Sequence, residues 1–595
     1  MYFGVTFYPD QWPKEYWDQA FAQIKGTGFE VVRFGEMAWD WLEPGDSSFK
    51  FKELDAAMDL CGKHGLKVIL GTAIAQAPQW LISRYPDILP IAHDGSKHPE
   101  YGPRPNACRD NPNFRRYAKR LVEKLASRYS RHPSLFMWQL DNEPGYPPLD
   151  LTENKDWCHC EATRKAFLNW AKNKYGSIDR LNAAWGTKFW VETFSNFSEI
   201  KTPKGGMWDA GNPHIYLDWF RFKSESISEW LLFLKEIVRK HDRTHKIGTN
   251  SFTSIPNRIP DHSVIARGMD WFGWDIYPKG TMNPDESLAQ IADYWKGVCK
   301  QNKAEFWVME LQAGPNVRWG YPGRVTGEEI KRWTKILVEH GAKGIMYFNW
   351  RPPLFGSETG GFGLLNADGS PSDRLQAVKE IIKSYEGEKS IFRLPTNRLA
   401  IYHSKTSEIQ TFQEEGFPRP CPPIWFCGRG EIGMFYGLNS LAGAYRLVHP
   451  YGAEFLFDEQ LEQGELECEV LLLTNPYTLS KKQFEHLREF LEDGGKVVTE
   501  ARFGMKDEMG HLYPTPLISN IVKSQNLSCE IIEEDISVEG LANNITGFKT
   551  EGQPNLGVIE IGKGKLIYAN FSLFPNLTKP GNEALVERIR KEIDL

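Results

Sequence analysis

The 595-residue chain lacks any apolar run near the roughly 20 residues that a helical membrane span needs, so a membrane-spanning role is not expected. It also lacks an excess of basic charge. Its 71 Lys and Arg against 77 Asp and Glu leave a formal net charge of −6, which offers no field for a nucleic acid or an anionic lipid surface. The N-terminal "MYFGVTFYPDQWP" carries neither a basic leader nor the apolar centre of a secretory signal, so the expected compartment is the cytoplasm. Nine cysteines are odd in number and scattered, which argues against a disulfide framework. Cys427, in "FCGRG", has no strand–turn–helix setting that would mark a thiol nucleophile. The stretch "FGSETGGFG" lacks the Lys-Ser/Thr ending of a phosphate-cradling loop and reads as a rim loop.

Aromatics are abundant instead: 13% of the chain, with 21 tryptophans. Flat rings build cores, and they also stack on the faces of sugars. Short runs rich in Val, Ile, Phe and Tyr recur at 2–8, 30–36, 66–73, 135–143, 245–251, 270–278, 305–311 and 344–350. Between them lie segments of helical period such as "NFRRYAKRLVEKLASRYSRH" and "EEIKRWTKILVEHGAKG". Eight apolar strands alternating with helices predict a (β/α)8 TIM barrel over residues 1–390. The extra length between the fourth and fifth strands, residues 144–244, predicts an elaborated rim. Beyond it, "RLAIYHS", "EVLLLTN", "GKVVTEA" and "KLIYANFS" predict a smaller doubly wound, flavodoxin-like α/β domain over 393–595. Nothing in that second domain suggests catalysis.

A (β/α)8 barrel carries its chemistry at the C-terminal ends of its strands. The polar residues that end the apolar runs are Glu36, Gln76, Asn142, Glu143, Asp275, Tyr277, Glu310, and the pair Trp350 and Arg351. Pro144 stops the fourth strand just after Glu143, since proline has no N–H for a ladder. Two glutamates from the fourth and seventh strands suit glycoside hydrolysis: Glu143 as acid/base, Glu310 as nucleophile, and Asn142 to hydrogen-bond a sugar 2-hydroxyl. Partial burial and a nearby negative Glu310 would raise the proton affinity that Glu143 needs. A barrel kept only for sugar binding or scaffolding is the reading from another class, and the retention of both carboxyls weighs against it.

The motifs "GVTFYPDQWP", "VVRFGEMAWDWLEP", "KVILGTAIAQAPQWLISRYPDILP", "WQLDNEPG", "LNAAWGTKFW" and "FWVMELQAGPNVRW", in this order, resemble glycoside hydrolase family 42, the β-galactosidase type. The resemblance spans most of 1–387. It implies Asn142 and Glu143 as the acid/base pair and Glu310 as nucleophile, with Arg104, Trp190, Tyr277, Trp319 and Glu358 around the sugar. It implies a trimerisation domain in the second half, hence a homotrimer, and an oligosaccharide partner without a catalytic metal. The expected reaction is removal of terminal β-D-galactose from short oligosaccharides, or of another glycone such as α-L-arabinopyranose. Cys108, Cys158 and Cys160 match three ligands of a structural zinc, but Thr163 stands at the fourth, leaving His159 or a carboxylate as a substitute ligand. The family's usual histidine three residues after Glu358 is Gly361 here, and the spacing from Glu310 to Trp319 is one residue longer than usual.

Overall fold

The computed structural model describes the chain outside residues 102–103, 147–154, 205–210, 252–260, 280–284, 318–322, 386–397, 416–435, 523–529, 539–540 and 550–555. Eight parallel strands close in sequence order into a barrel: β1 (Tyr2–Thr6), β2 (Val31–Phe34), β3 (Lys67–Gly71), β4 (Leu135–Gln139), β5 (Lys246–Ser251), β6 (Trp271–Ile276), β7 (Glu305–Gln312) and β8 (Gly344–Phe348). Each lies on a run expected from the sequence. Every residue of β2 and of β6 is buried, because helices cover the outer face while side chains fill the inner one. The helix Pro112–Tyr129 shows how the sheath forms. Asn111 caps it by accepting from the amides of Asn113 and Phe114, Pro112 fits the first turn, and Phe114, Tyr117, Ala118, Leu121, Val122 and Leu125 bury one face.

Inside the barrel, Val31, Ile69, Met137, Trp271, Trp307, Met309 and Met346 form one apolar cluster. The large rings fit because glycines face them: a Cβ on Gly344 would stand 2.1 Å from the Trp307 ring, and one on Gly248 2.4 Å from that of Trp271. Two residues further along the same inward phase come Arg33 after Val31 and Gln139 after Met137. On β7 strict alternation from Trp307 and Met309 would turn Glu310 to the outside. The ladder prevents this. Trp274 pairs with Val308 and Asp275 with Glu310, so Met309 is an extra residue, and this bulge re-aims Glu310 into the barrel.

The excursion after β4 contributes the helices Glu161–Tyr175, Ile178–Ala184 and the 27-residue Pro213–Arg239. Its own core includes Phe167, Trp185, Trp219 and Phe220, and reaches Ile409 of the C-terminal region. That region holds a six-stranded sheet built from β9 (Leu399–His403), β10 (Glu454–Phe457), β11 (Val470–Leu473), β12 (Lys496–Thr499), β15 (Leu556–Ile561) and β16 (Gly564–Ala569), in the order β10-β9-β11-β12-β16-β15. Five strands run parallel and the edge strand β15 is antiparallel to β16. A separate hairpin pairs β13 (Glu530–Val538) with β14 (Leu541–Lys549). The sequence reading found β9, β11, β12 and β16. It missed β10, whose "EFLF" is too short for periodicity to register, the edge strand β15, and the hairpin, whose strands mix Glu, Asp and Asn among the apolar residues. Cys427 lies outside the described residues. Among those described, no helix is long and apolar enough to cross a membrane.

One buried carboxylate ties the sheath to the second sheet. Asp293, on helix Asp285–Gln301, accepts from the Tyr445 hydroxyl (2.8 Å) and the Ala453 amide (3.0 Å) with one oxygen, and pairs with His340 Nδ1 (2.8 Å) through the other. Asp293→Ala should strand three buried donors and lower unfolding stability by roughly 1–3 kcal/mol. Denaturant melts compared with wild type measure this, with a loss below about 0.5 kcal/mol as the contrary result.

Candidate active site

The end of β4 delivers three consecutive polar side chains in different directions. Asp141 and Glu143 both take left-handed backbone angles, φ 53° and 44°, a conformation that side chains other than glycine rarely adopt unless their surroundings enforce it. The enforcement is visible around Asp141. Its carboxylate accepts from Arg109 Nε and Nη2 (both 3.2 Å), from Trp230 Nε1 (2.9 Å) and from the Asn142 amide (2.7 Å), while its own amide donates to Thr72 Oγ1 (3.1 Å). Asp141 is thus an anchor, and the kink it holds sends Asn142 and Glu143 to the mouth.

Arg33 organises that mouth. Its side chain is fully buried, and its guanidinium donates to Gln139 Oε1 (2.7 Å), Glu310 Oε1 (2.7 Å) and Asn142 Oδ1 (2.6 Å), with Glu36 Oε1 3.2 Å away. The Asn142 oxygen also accepts from Gln139 Nε2 (3.0 Å) and Asn250 Nδ2 (2.9 Å). Three donors on one oxygen orient the amide so that its NH2 faces Glu143, 3.3 Å from Oε2. Tyr277 donates to Glu310 Oε2 at 2.5 Å, and Tyr8 to Glu36 Oε1 at 2.6 Å. Arg33, Gln139 and Asn250 were not singled out from sequence. The signal was present: a charged or amide side chain on the inward phase of an otherwise apolar strand.

Glu143, Asp275 and Glu310 each place a carboxylate oxygen within 4.8 Å of the others, and all three are buried. Burial first, and the negative Glu310 second, push the Glu143 carboxyl up to about 7, against the pull of Arg104. Arg104 Nη2 lies 3.0 Å from Glu143 Oε2. Burial also raises the half-buried Glu358, against the pull of Arg104. Arg104, Asn142, Glu143, Tyr277, Glu310 and Glu358 therefore share one site. Trp190 is 82% exposed, and its ring stacks on Phe189 at 4.7 Å. Trp319 lies outside the described residues. Among the described residues, Arg351 makes no bond to the carboxyls. Its guanidinium sits 4.6 Å above the Trp12 ring and donates to the Ala367 carbonyl. Trp39, Trp271 and Trp274 are core.

Cys108, Cys158 and Cys160 do come together, their sulfurs within 4.8 Å of one another. The Thr163 hydroxyl fills the neighbouring position, 3.2 Å from Cys108 Sγ and 3.5 Å from Cys160 Sγ. His159 is not part of this cluster: neither ring nitrogen joins the three sulfurs within 4.8 Å, and its Nε2 is 3.0 Å from Asp156, which also binds Lys223 and Trp219. Tetrahedral structural zinc takes four nitrogen, sulfur or carboxylate donors. Among the described residues this set stops at three thiols and a hydroxyl, so it does not close a zinc site.

A buried carboxyl pair with an arginine beneath it, at the C-terminal mouth of a (β/α)8 barrel, is an arrangement that carboxylate-based glycoside hydrolases use. Residues 6–387 match the family model described as beta-galactosidase, Glyco_hydro_42. The chain belongs to glycoside hydrolase family 42. It is 33% identical over 395 residues to beta-galactosidase BgaA of a Thermus species, an alignment covering 64% of this chain and 59% of that protein. It is 27% identical over 584 residues to beta-galactosidase BgaH of Haloferax lucentense, covering 93% of this chain and 82% of the relative. Thus the chain spans less than two thirds of the Thermus relative and most of the other. In fold it is similar to the solved beta-galactosidase of Halorubrum lacusprofundi, with a TM-score of 0.85 at 23% identity over 100% of this chain and 90% of that one.

The cysteine cluster gives a direct test. Purified wild-type protein, dialysed against a weak chelator, should hold well under one zinc per chain, whereas Thr163→Cys, which supplies a fourth thiolate, should approach one equivalent. Elemental analysis decides it, and a full equivalent in wild type would refute the three-donor reading.

Proposed function

We propose that the chain is a retaining exo-glycosidase that removes terminal β-D-galactose from short oligosaccharides, with Glu143 as acid/base and Glu310 as nucleophile. The observation that carries this reading is the approach of the Glu143 and Glu310 oxygens to within 4.8 Å. Retaining pairs stand about 5–5.5 Å apart, whereas inverting pairs leave about 6.5–9.5 Å for a water. In the first step Glu143 gives its proton to the leaving oxygen while Glu310 bonds the anomeric carbon from the opposite face. Arg33 and Tyr277 hold the two Glu310 oxygens, so the attacking carboxylate is fixed in direction. Asn142, its oxygen already occupied, presents its NH2 to the 2-hydroxyl. Once Glu310 is esterified its charge is gone, and one of the influences that raised Glu143 goes with it. The Glu143 carboxyl is then more acidic and stays a carboxylate at neutral pH, free to take a proton from water, whose oxygen releases the sugar. The work is expected in the cytoplasm and in a homotrimer, an assembly that sedimentation equilibrium would measure.

Family membership supports the galactose configuration. The wall beside Glu358 is apolar, which motivates a second reading with a glycone that lacks the hydroxymethyl group. A Cβ at Gly361 would stand 2.4 Å from Val317 Cγ2, so an apolar valine occupies the space beside Glu358 that a larger side chain at 361 would need.

The mechanism is tested first and the glycone second. Glu310→Gly should lower kcat on nitrophenyl β-D-galactoside on the order of 10³-fold or more, and added azide should restore turnover as the α-galactosyl azide; Glu143→Gly with azide should give the β-azide. Because the protonated form of Glu143 is the active one and its carboxyl lies near 7, wild-type kcat/KM should fall as pH rises through about 7. Unchanged kcat in the Glu310 variant would remove the assigned nucleophile. Second, kcat/KM for nitrophenyl α-L-arabinopyranoside should lie within about tenfold of the galactoside value. No turnover on any galactose-configured substrate would overturn the glycone assignment.

A further inference from the structure

The third carboxyl of the mouth, Asp275, has no part in the two-glutamate reaction. It is 1% exposed. Its Oδ2 accepts from Asn250 Nδ2 at 2.5 Å, while Oδ1 is buried and, among the described residues, accepts from no donor. One of its oxygens lies within 4.8 Å of an oxygen of Glu143 and of one of Glu310. The cations of the site are committed elsewhere: Arg33 to Glu310 and Glu36, Arg104 to Glu143. Among the described residues no salt bridge reaches Asp275. A buried carboxyl without its own cation, beside two others, cannot afford a charge.

Resting on the assignment of Glu143 as acid/base, we infer that Asp275 is a permanently protonated carboxyl and a positioning residue, which offers its O–H to Glu143 whenever Glu143 is a carboxylate. The groups facing it are Glu143 from the end of β4, Glu310 from β7 and Arg33 from β2; beyond these stand Arg104, Glu36, Tyr8, Tyr277 and Glu358. Burial, then Glu310 and Glu143, push Asp275 well above the carboxylate range, with Arg33 opposing, and its hydrogen bond in turn lowers Glu143. The proton balance is simple. In the first step the Glu143 proton goes to the leaving oxygen and the glycosidic C–O bond breaks as the Glu310 ester forms. Glu143 is now an anion between the Arg104 guanidinium and the Asp275 hydroxyl. In the second step water gives its proton to Glu143 and its oxygen to the anomeric carbon, and Glu310 leaves. The Asp275 proton stays on Asp275 throughout. Its role is to keep Glu143 acidic enough to release a proton in a site whose burial and neighbouring acid hold that proton too tightly.

The test compares Asp275→Asn and Asp275→Ala with wild type by the pH dependence of kcat/KM on nitrophenyl β-D-galactoside. Asparagine is neutral, similar in shape and an N–H donor, so its alkaline limb should stay within about 0.3 pH unit of wild type. Alanine removes the donor, so its limb should move up by roughly one unit, the size of one hydrogen bond to a carboxylate. If Asp275 were instead charged, removing that charge would ease the ionisation of Glu143 and move both limbs down, overturning the inference. Loss of rate with no limb moved in either variant would equally overturn it, leaving a merely structural role. Should the alanine variant not fold, the asparagine limb and an infrared readout suffice. At neutral pH the protonated-carboxyl band should lose intensity in Asp275→Asn, and an undiminished band refutes the assignment. Glu143→Gln separates the premise from the inference: if it leaves the alkaline limb in place, the acid/base assignment fails, whatever the Asp275 variants do.

Discussion

A single guanidinium, Arg33, holds the mouth of the barrel together. Removing a cation wholly from water is costly unless its donors are met by acceptors and its charge by opposite charge. Here Gln139, Asn142, Glu36 and Glu310 meet it from β4 or just beyond, from the end of β2 and from β7. The planar fork of arginine suits this task in a way that lysine would not, since its donors point along fixed directions to separate partners. Each contact also orients something: the Glu310 carboxylate, the Asn142 amide, and through Gln139 the Asn250 side chain that reaches Asp275.

That network needs side chains that strict strand geometry would not supply. Two departures from regular backbone provide them. The bulge on β7 turns Glu310 inward after Met309, and the left-handed residues after β4 let Asn142 and Glu143 enter one above the other. Both are stabilised from outside the mouth, by the Trp271 and Trp307 layer beneath and by the Arg109 and Trp230 bonds to Asp141. The aromatic richness is chiefly structural: Trp138, Trp271, Trp274, Trp295, Trp307 and Trp333 pack the barrel and its sheath. Only Trp190, of the tryptophans singled out for sugar contact and described, stands free of that packing.

Among the described residues, the second sheet shares no hydrogen bond or ion pair with the carboxyls. It meets the barrel through Asp293 and the excursion through Arg221, which bonds Thr406 and the Glu508 carbonyl, and His214, which faces the Met509 carbonyl. The excursion is therefore clasped between the two sheets. Its cysteine loop is buttressed by the buried Lys223–Asp156–His159 set, which places the loop without any metal ligand beyond the three thiols.

Much of this was written in the order of residues. Eight apolar runs separated by helical periods are enough for a parallel barrel, because strands buried on both faces must be covered by helices and joined by crossovers. Pro144 marks where the fourth strand must end, and Glu143 and Glu310 follow from their places at strand ends. Arg33 was legible in principle as a charge inside "VVRF", but composition cannot say which acids a buried cation will meet. What only the tertiary structure decided is geometry between distant positions: the extra residue that turns Glu310 inward, the anchoring role of Asp141, the seat of Arg351 on the Trp12 ring, and the gathering of Asp275 with the two glutamates. These depend on ladder register and on packing across the barrel. Register and packing are relations between strands, and no single stretch of sequence contains them.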